Sequence, residues 1–202
     1  RIPMINISPI KLSGNWFEGF ALDLHTLSSE FSGYDEFGHE VFDTKRSEIG
    51  ELLYRLKYKS DKSSLKEILD VTVYFLSNEW KISRILDGIL PVPPSISRTF
   101  QPVIEIARGI SSMLQVPLYE GFLIKVKETP ELKNVYEYQK RLELLKDAFA
   151  AKNLSLKGKN VLLLDDLFRS GATFNAITRV LYEKGMVNKV YVLALTKTRS
   201  KS

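Results

Sequence analysis

The residues best suited to chemistry lie between Val161 and Thr173, in the stretch VLLLDDLFRSGAT. Aliphatics of the kind buried in a sheet lead into two adjacent carboxylates, Asp165 and Asp166, and a small-residue turn through Ser170, Gly171 and Thr173 opens the next element. An apolar strand that ends in acids and turns into a helix places those acids at the carboxyl edge of a parallel sheet, where α/β folds bind ligands. Successive amides from Arg169 to Thr173 at a helix start make an anion site, from unpaired N–H groups and the positive end of the dipole. Gly171 permits close backbone approach, and Ser170 and Thr173 add hydroxyl donors. A plainer reading, in which Asp166 or Ser170 only caps the helix, needs one such residue and leaves the rest of the series unused.

The stretch resembles the diphosphate-sugar signature of type I phosphoribosyltransferases, with Asp165, Asp166, Ser170, Gly171 and Thr173 matching and Arg169 standing where Thr is usual. Rival phosphate motifs fail. The Gly158-Lys159 pair is followed by Asn160 and lacks the upstream glycine of a P-loop, and no Gly-x-Gly-x-x-Gly occurs.

The elements that must position these residues read as alternating strand and helix. Ile85 to Val92 is a short aliphatic strand, and Val103, Ile106, Ala107, Ile110 and Leu114 recur at helical spacing behind Pro102. Val116 to Val126 holds one or two strands broken at Gly121, and Tyr138, Leu142, Leu145 and Phe149 predict a helix. Lys159 to Leu164 is the central strand. A helix over 172–184, burying Thr173, Ile177, Val180 and Leu181, ends at Gly185, and Lys189 to Thr196 is the last strand. Serial βα units imply a parallel sheet with helices on its faces. Earlier in the chain, residues 33–44 predict a hairpin, Ile49, Leu52, Leu53 and Leu56 an amphipathic helix capped at Thr44 or Ser47, and residues 65–76 a second helix. The expected organisation is a cap over 1–82 packed on a core over 83–202.

Further matches make the chain similar to the ComF family, a bacterial competence-associated branch of the phosphoribosyltransferases. They are Leu56-Lys57-Tyr58-Lys59, Leu90-Pro-Val-Pro93, Arg98-x-Phe100-Gln101, Lys125-x-Lys127-x-Thr129, and Arg141 with Ala148-Phe149, in that order. The chain departs from that pattern in having no Cys, hence no four-cysteine zinc module, and in having Leu144 and Leu132 where Asn and Gln are usual.

The resemblance implies an α/β, parallel-sheet type I phosphoribosyltransferase fold with an N-terminal α+β cap, and a phosphorylated ribose as ligand. It assigns the catalytic role to Asp165 and Asp166, reaching the ribose hydroxyls directly or through Mg²⁺. It assigns the 5-phosphate to Arg169, Ser170, Gly171, Ala172 and Thr173. Pyrophosphate would sit near 92–95, with Arg98, Lys125 and Lys127 as neutralising cations. Purine-salvage relatives hold at position 169 an Asp that exchanges a proton with the base. The permanently charged Arg169 cannot do so, which speaks against purine salvage. Phe168 is expected to pack rather than stack on a base, and the base pocket to come from the aromatic-rich segment 16–42.

Composition bounds the rest. With 202 residues, 44% hydrophobic and 26% charged, the chain can bury a full core. No apolar run approaches the roughly 18 to 20 residues that span a bilayer, so a cytoplasmic protein without membrane partners is expected. His25 and His39 lie in turn-rich surroundings and read as surface residues. The net charge of +5, with nine Lys/Arg against five Asp/Glu over 125–159, suits a polyanion. A diphosphorylated sugar fits, and so does a non-catalytic role binding single-stranded nucleic acid or a protein partner in DNA uptake, repair or defence.

Overall fold

β8 (Asn160–Phe168) and β9 (Lys189–Lys197) form the centre of the sheet, and their apolar runs, Val161 to Leu164 and Val190 to Leu195, are buried on both faces. Such continuous aliphatic runs are what parallel strands covered on both sides require. The computed structural model describes residues 2–95, 99–129 and 137–199. In it the five-stranded sheet runs β1 (Ile10–Lys11), β2 (Glu18–Ala21), β9, β8, β5 (Gly88–Pro91), with β1 antiparallel to β2 and the other four mutually parallel.

Alternation along the two central strands sorts their side chains between two cores. Leu162, Leu164, Tyr191, Leu193 and Leu195 pack under α1 (Glu48–Lys59), α2 (Lys62–Tyr74) and α3 (Pro102–Leu114). Val161, Leu163, Val190, Val192 and Ala194 pack under α4 (Tyr138–Leu145) and α5 (Ala172–Glu183). The result is a three-layer α/β body, as the serial βα pattern predicts. No helix among the described residues is long and apolar enough to cross a membrane.

The N-terminal segment does more than cover this body, because β1 and β2 are strands of the central sheet itself. Trp16, placed by its sequence neighbourhood in a variable cap, is 6% exposed and belongs to the core beneath α5. The hairpin is longer than expected, β3 (Thr26–Tyr34) pairing with β4 (Glu40–Arg46) as a separate sheet. Phe31, Tyr34, Phe37 and Phe42 remain exposed on it. α1 is capped at Ser47, whose hydroxyl accepts from the Gly50 amide at 3.0 Å and donates to the Leu24 carbonyl.

Several boundaries differ from expectation for local reasons. The strand predicted from Ile85 starts at Gly88, since Ile85 is a turn residue and 47% exposed. The helix carrying Tyr138, Leu142 and Leu145 stops before Phe149, because Asp147 takes a left-handed φ of 58°. Phe149 instead opens β7 (Phe149–Ala151), paired with β6 (Leu123–Lys125). α5 ends at Glu183, and the left-handed residue beyond it is Met186 (φ 57°) rather than Gly185. Thr173 and Val180 are half-buried; Phe174 and Thr178 take the buried positions.

Candidate functional site

β8 does not end at its acids. Asp165 pairs opposite Ala194 and Phe168 opposite Lys197, so both carboxylates are strand residues at the carboxyl edge. Strand alternation then divides them, Asp165 following Leu163 toward the α5 side and Asp166 following Leu164 toward the α1 side. Asp165 Oδ1 accepts from the Asp166 amide at 2.8 Å. Burial, and next the neighbouring charge of Asp166, hold the Asp165 carboxyl well above the ordinary carboxylate range, while Lys57 pulls it the other way. A carboxyl whose pKa is raised on folding favours the folded chain fully below its ordinary value of 3.8, and that contribution is lost as pH rises through the folded value.

The turn after β8 is set by Gly171, which caps α5 at φ 86° and ψ 0°. A Cβ there would lie 2.9 Å from the Phe168 ring and 3.5 Å from Trp16, so both conformation and space demand glycine. Phe168 packs against Trp16 and Phe174 at centroid distances of 6.2 and 6.0 Å, in keeping with a packing role. The loop thus rests on an aromatic floor. The first intrahelical bond runs from the Asn175 amide to the Gly171 carbonyl at 2.9 Å, which leaves the amides of the first turn at the mouth of the site. Asn175 also ties the loop outward, accepting from the Asn15 amide at 3.1 Å and donating to the Tyr138 hydroxyl at 2.6 Å.

A cleft of about 390 Å³ opens over this loop. Asp165, Asp166, Arg169, Ser170, Gly171, Ala172, Thr173 and Lys125 all line it, facing the end of β5 at Val92 to Ser95. Lys127 is not brought in; its Nζ donates to the Lys146 carbonyl at 3.3 Å. Arg98 lies outside the described residues.

Two basic residues join the site without having been assigned to it. Lys57, from the last turn of α1, lines the cleft. Arg141, from α4, is 5% exposed, and its Nη1 donates to the Ser170 hydroxyl at 3.3 Å. Its signal is legible afterwards: Arg141 falls on the stripe of Tyr138 and Leu145, where an apolar residue would be the rule. The histidine reading needs correction for one residue. His39 is exposed beside Asp35, whereas His25 is half-buried next to Arg46 and Lys57, and burial first, then the Arg46 charge, lowers its pKa.

No protein-family model matches the chain. Among curated proteins it is similar to the competence protein ComFC of Bacillus subtilis, 30% identical over 111 residues. That match covers 54% of the chain and 44% of the relative, so the chain accounts for under half of that protein's length. Similar solved structures include adenine phosphoribosyltransferase from Saccharomyces cerevisiae, at 14% identity and TM-score 0.48, covering 85% of this chain and 84% of that one. Orotate phosphoribosyltransferase from Aeropyrum pernix gives 17%, 0.44, 84% and 74% in the same order. Glutamine phosphoribosylpyrophosphate amidotransferase from B. subtilis gives 19%, 0.48, 79% and 34%. The ComF resemblance of the motifs is thus a sequence relationship reaching over about half of the chain, carried on an α/β body with a mostly parallel sheet.

Proposed function

We propose that the cleft over β8 and α5 binds 5-phosphoribosyl 1-diphosphate, or a closely related phosphorylated ribose, together with Mg²⁺, and that it presents the sugar to a nitrogen acceptor. The observation that carries this reading is the meeting, in one cleft, of two strand-end carboxylates, a glycine-capped helix start and cations from α1, α4 and β6. The Arg169 to Thr173 loop would take the 5-phosphate, with Arg141 holding Ser170 in place. Asp165 and Asp166 would take the ribose hydroxyls. The turn at Val92 to Ser95 would face the diphosphate, with Lys125 and Lys57 balancing its charge.

The donor set suits Mg²⁺. Among the described residues no group of three His, Cys, Asp or Glu could hold a metal alone. Two carboxylates beside phosphate oxygens are the arrangement this hard, reluctantly dehydrated ion accepts. When bound, it would neutralise charge on the diphosphate. In the transfer, the bond from C1 to the diphosphate oxygen breaks, its electron pair leaves with pyrophosphate, and the acceptor nitrogen's lone pair forms the new bond to C1. Any proton on that nitrogen passes to water. The chain's part is to position and to stabilise charge.

Calorimetric titration of the chain with 5-phosphoribosyl 1-diphosphate, with and without Mg²⁺, tests the reading. Mg²⁺-dependent binding that the Asp165→Asn, Asp166→Asn double variant loses is the expected result. Equal binding by the double variant would remove the site assignment.

A second reading, binding of single-stranded nucleic acid or a protein partner, draws on the name of the competence relative and on the charge distribution. The hairpin over 26–46 holds five acids against two Lys/Arg, so the basic excess lies on the rest of the chain. Affinity for a single strand that falls steeply with salt would support it, and no binding at low salt would end it.

A further inference from the structure

Asp166 stands between two clefts. On its α1 side opens a second one, of about 650 Å³, whose wall comes from the foot of the hairpin, from α1, and from the ends of β8 and β9. Asp166, Lys57 and Arg169 belong to both clefts, while Tyr54, Ser29 and Arg199 line only the second.

The chemistry of this wall is lopsided. Lys57, Arg169 and Arg199 face it, and Asp166 is the one carboxylate among its described residues. Among the described residues none of the three cations is held in an ion pair. Arg199 Nη1 only reaches the Leu27 carbonyl, at 3.5 Å. Arg46 at the margin does not add to the three, its Nη1 being paired with Glu51 at 3.3 Å while its guanidinium lies 3.9 Å from the centre of the Tyr54 ring. Tyr54 pairs with Tyr58 at 5.1 Å between centroids, which offers an aromatic surface beside the charges. Converging cations without matching acids leave a positive potential in a concave space, and anions are drawn to such a space.

We infer that the second cleft holds the acceptor, and that the acceptor is a small ring compound bearing a carboxylate or phosphate group. Its anionic group lies among Lys57, Arg169 and Arg199, its ring lies against Tyr54, and its nitrogen points past Asp166 toward the first cleft. This rests on the reading of the first cleft as the diphosphate-sugar site. Guanidinium groups suit planar carboxylates and phosphates in particular, because their donors match both oxygens. An uncharged base would leave the Arg169 and Arg199 guanidinium groups unanswered, with Lys57 shared between the acceptor and the diphosphate.

The test is calorimetry on the full chain, already saturated with 5-phosphoribosyl 1-diphosphate and Mg²⁺. Matched probes differ mainly in charge: orotate against uracil, nicotinate against nicotinamide, and inorganic phosphate to separate a phosphate preference from a carboxylate one. At least one acid is expected to bind about tenfold or more tighter than its uncharged partner. Arg199→Ala should reduce that affinity by about tenfold as well. Arg199 is exposed, so the substitution leaves the core intact. If the sugar diphosphate binds but acids and uncharged partners bind alike, or none of the probes binds, the inference is overturned while the first-cleft reading stands. If the sugar diphosphate fails to bind yet an acid binds through Arg199, the acceptor role is overturned and an anion site of another kind remains.

Discussion

The two clefts that meet at Asp166 are made in opposite ways. The first is floored by one unbroken stretch, Asp165 to Phe174, in which backbone amides and one glycine do the shaping, with α1, α3, α4 and the end of β5 as its walls. The second draws on the hairpin foot, α1, and the ends of β8 and β9, and it is shaped by side chains. The contrast teaches where rigidity comes from. A strand-to-helix turn locked by a positive φ and an aromatic floor keeps its geometry through local chain chemistry. A wall of long cations from separate segments depends on tertiary packing, and it can change its preference residue by residue.

Variants that touch one cleft and spare the other sharpen this comparison. The largest effect is expected from Trp16→Ala, which removes a buried ring beneath the Gly171 loop and the bond from its Nε1 to the Leu12 carbonyl at 2.9 Å. Large-to-small changes of this kind cost about 3–5 kcal/mol, so thermal melting should fall sharply. Next is Arg141→Ala, which strips the Ser170 hydroxyl of its cationic donor. Hydrogen bonds to charged groups are worth about 1.5–3 kcal/mol, and the loss should appear as weaker sugar-diphosphate binding in calorimetry. An unchanged affinity would show that Ser170 keeps its place without Arg141.

Gly171→Ala should cost about 1–2 kcal/mol in chemical denaturation, from the left-handed backbone alone. The clash with Phe168 adds to it. Sugar-diphosphate affinity should fall in parallel, while any anion binding in the second cleft is retained. The smallest effect is expected from Tyr54→Leu. It removes the ring under Arg46, a contact of about 0.5–1 kcal/mol, and it should weaken acids in the second cleft without touching the first. Equal damage to both clefts would break the division drawn between them.

The same division explains what could be read from the sequence. Asp165, Asp166 and the Ser170 to Thr173 turn were legible because an apolar run, paired acids and a glycine followed by a helix pattern are all local signals. Lys125 was found through its place in a short motif, and it does line the cleft. Lys127, from the same motif, does not, since its ammonium turns to the Lys146 carbonyl. Trp16 could not be placed by periodicity, because its position follows from β2 pairing in parallel with β9 at the far end of the chain. Phe149 kept helical spacing with Leu145 and Leu142 yet belongs to β7, a break that only the left-handed Asp147 discloses. The second cleft was legible only in part. The segment 16–42 expected to form a base pocket contributes His25, Thr26 and Ser29 but none of its aromatics, and the motif residues Lys57, Asp166 and Arg169 are joined by Tyr54 and Arg199, which no local pattern marks.

The measurement that reaches the central claim most directly is a crystal structure of the chain grown with 5-phosphoribosyl 1-diphosphate and Mg²⁺. The 5-phosphate is expected on the amides of Arg169 to Thr173, the ribose hydroxyls at Asp165 and Asp166, and the diphosphate beside Val92 to Ser95. A ligand bound elsewhere, or a 5-phosphate that avoids the Gly171 turn, would contradict that claim.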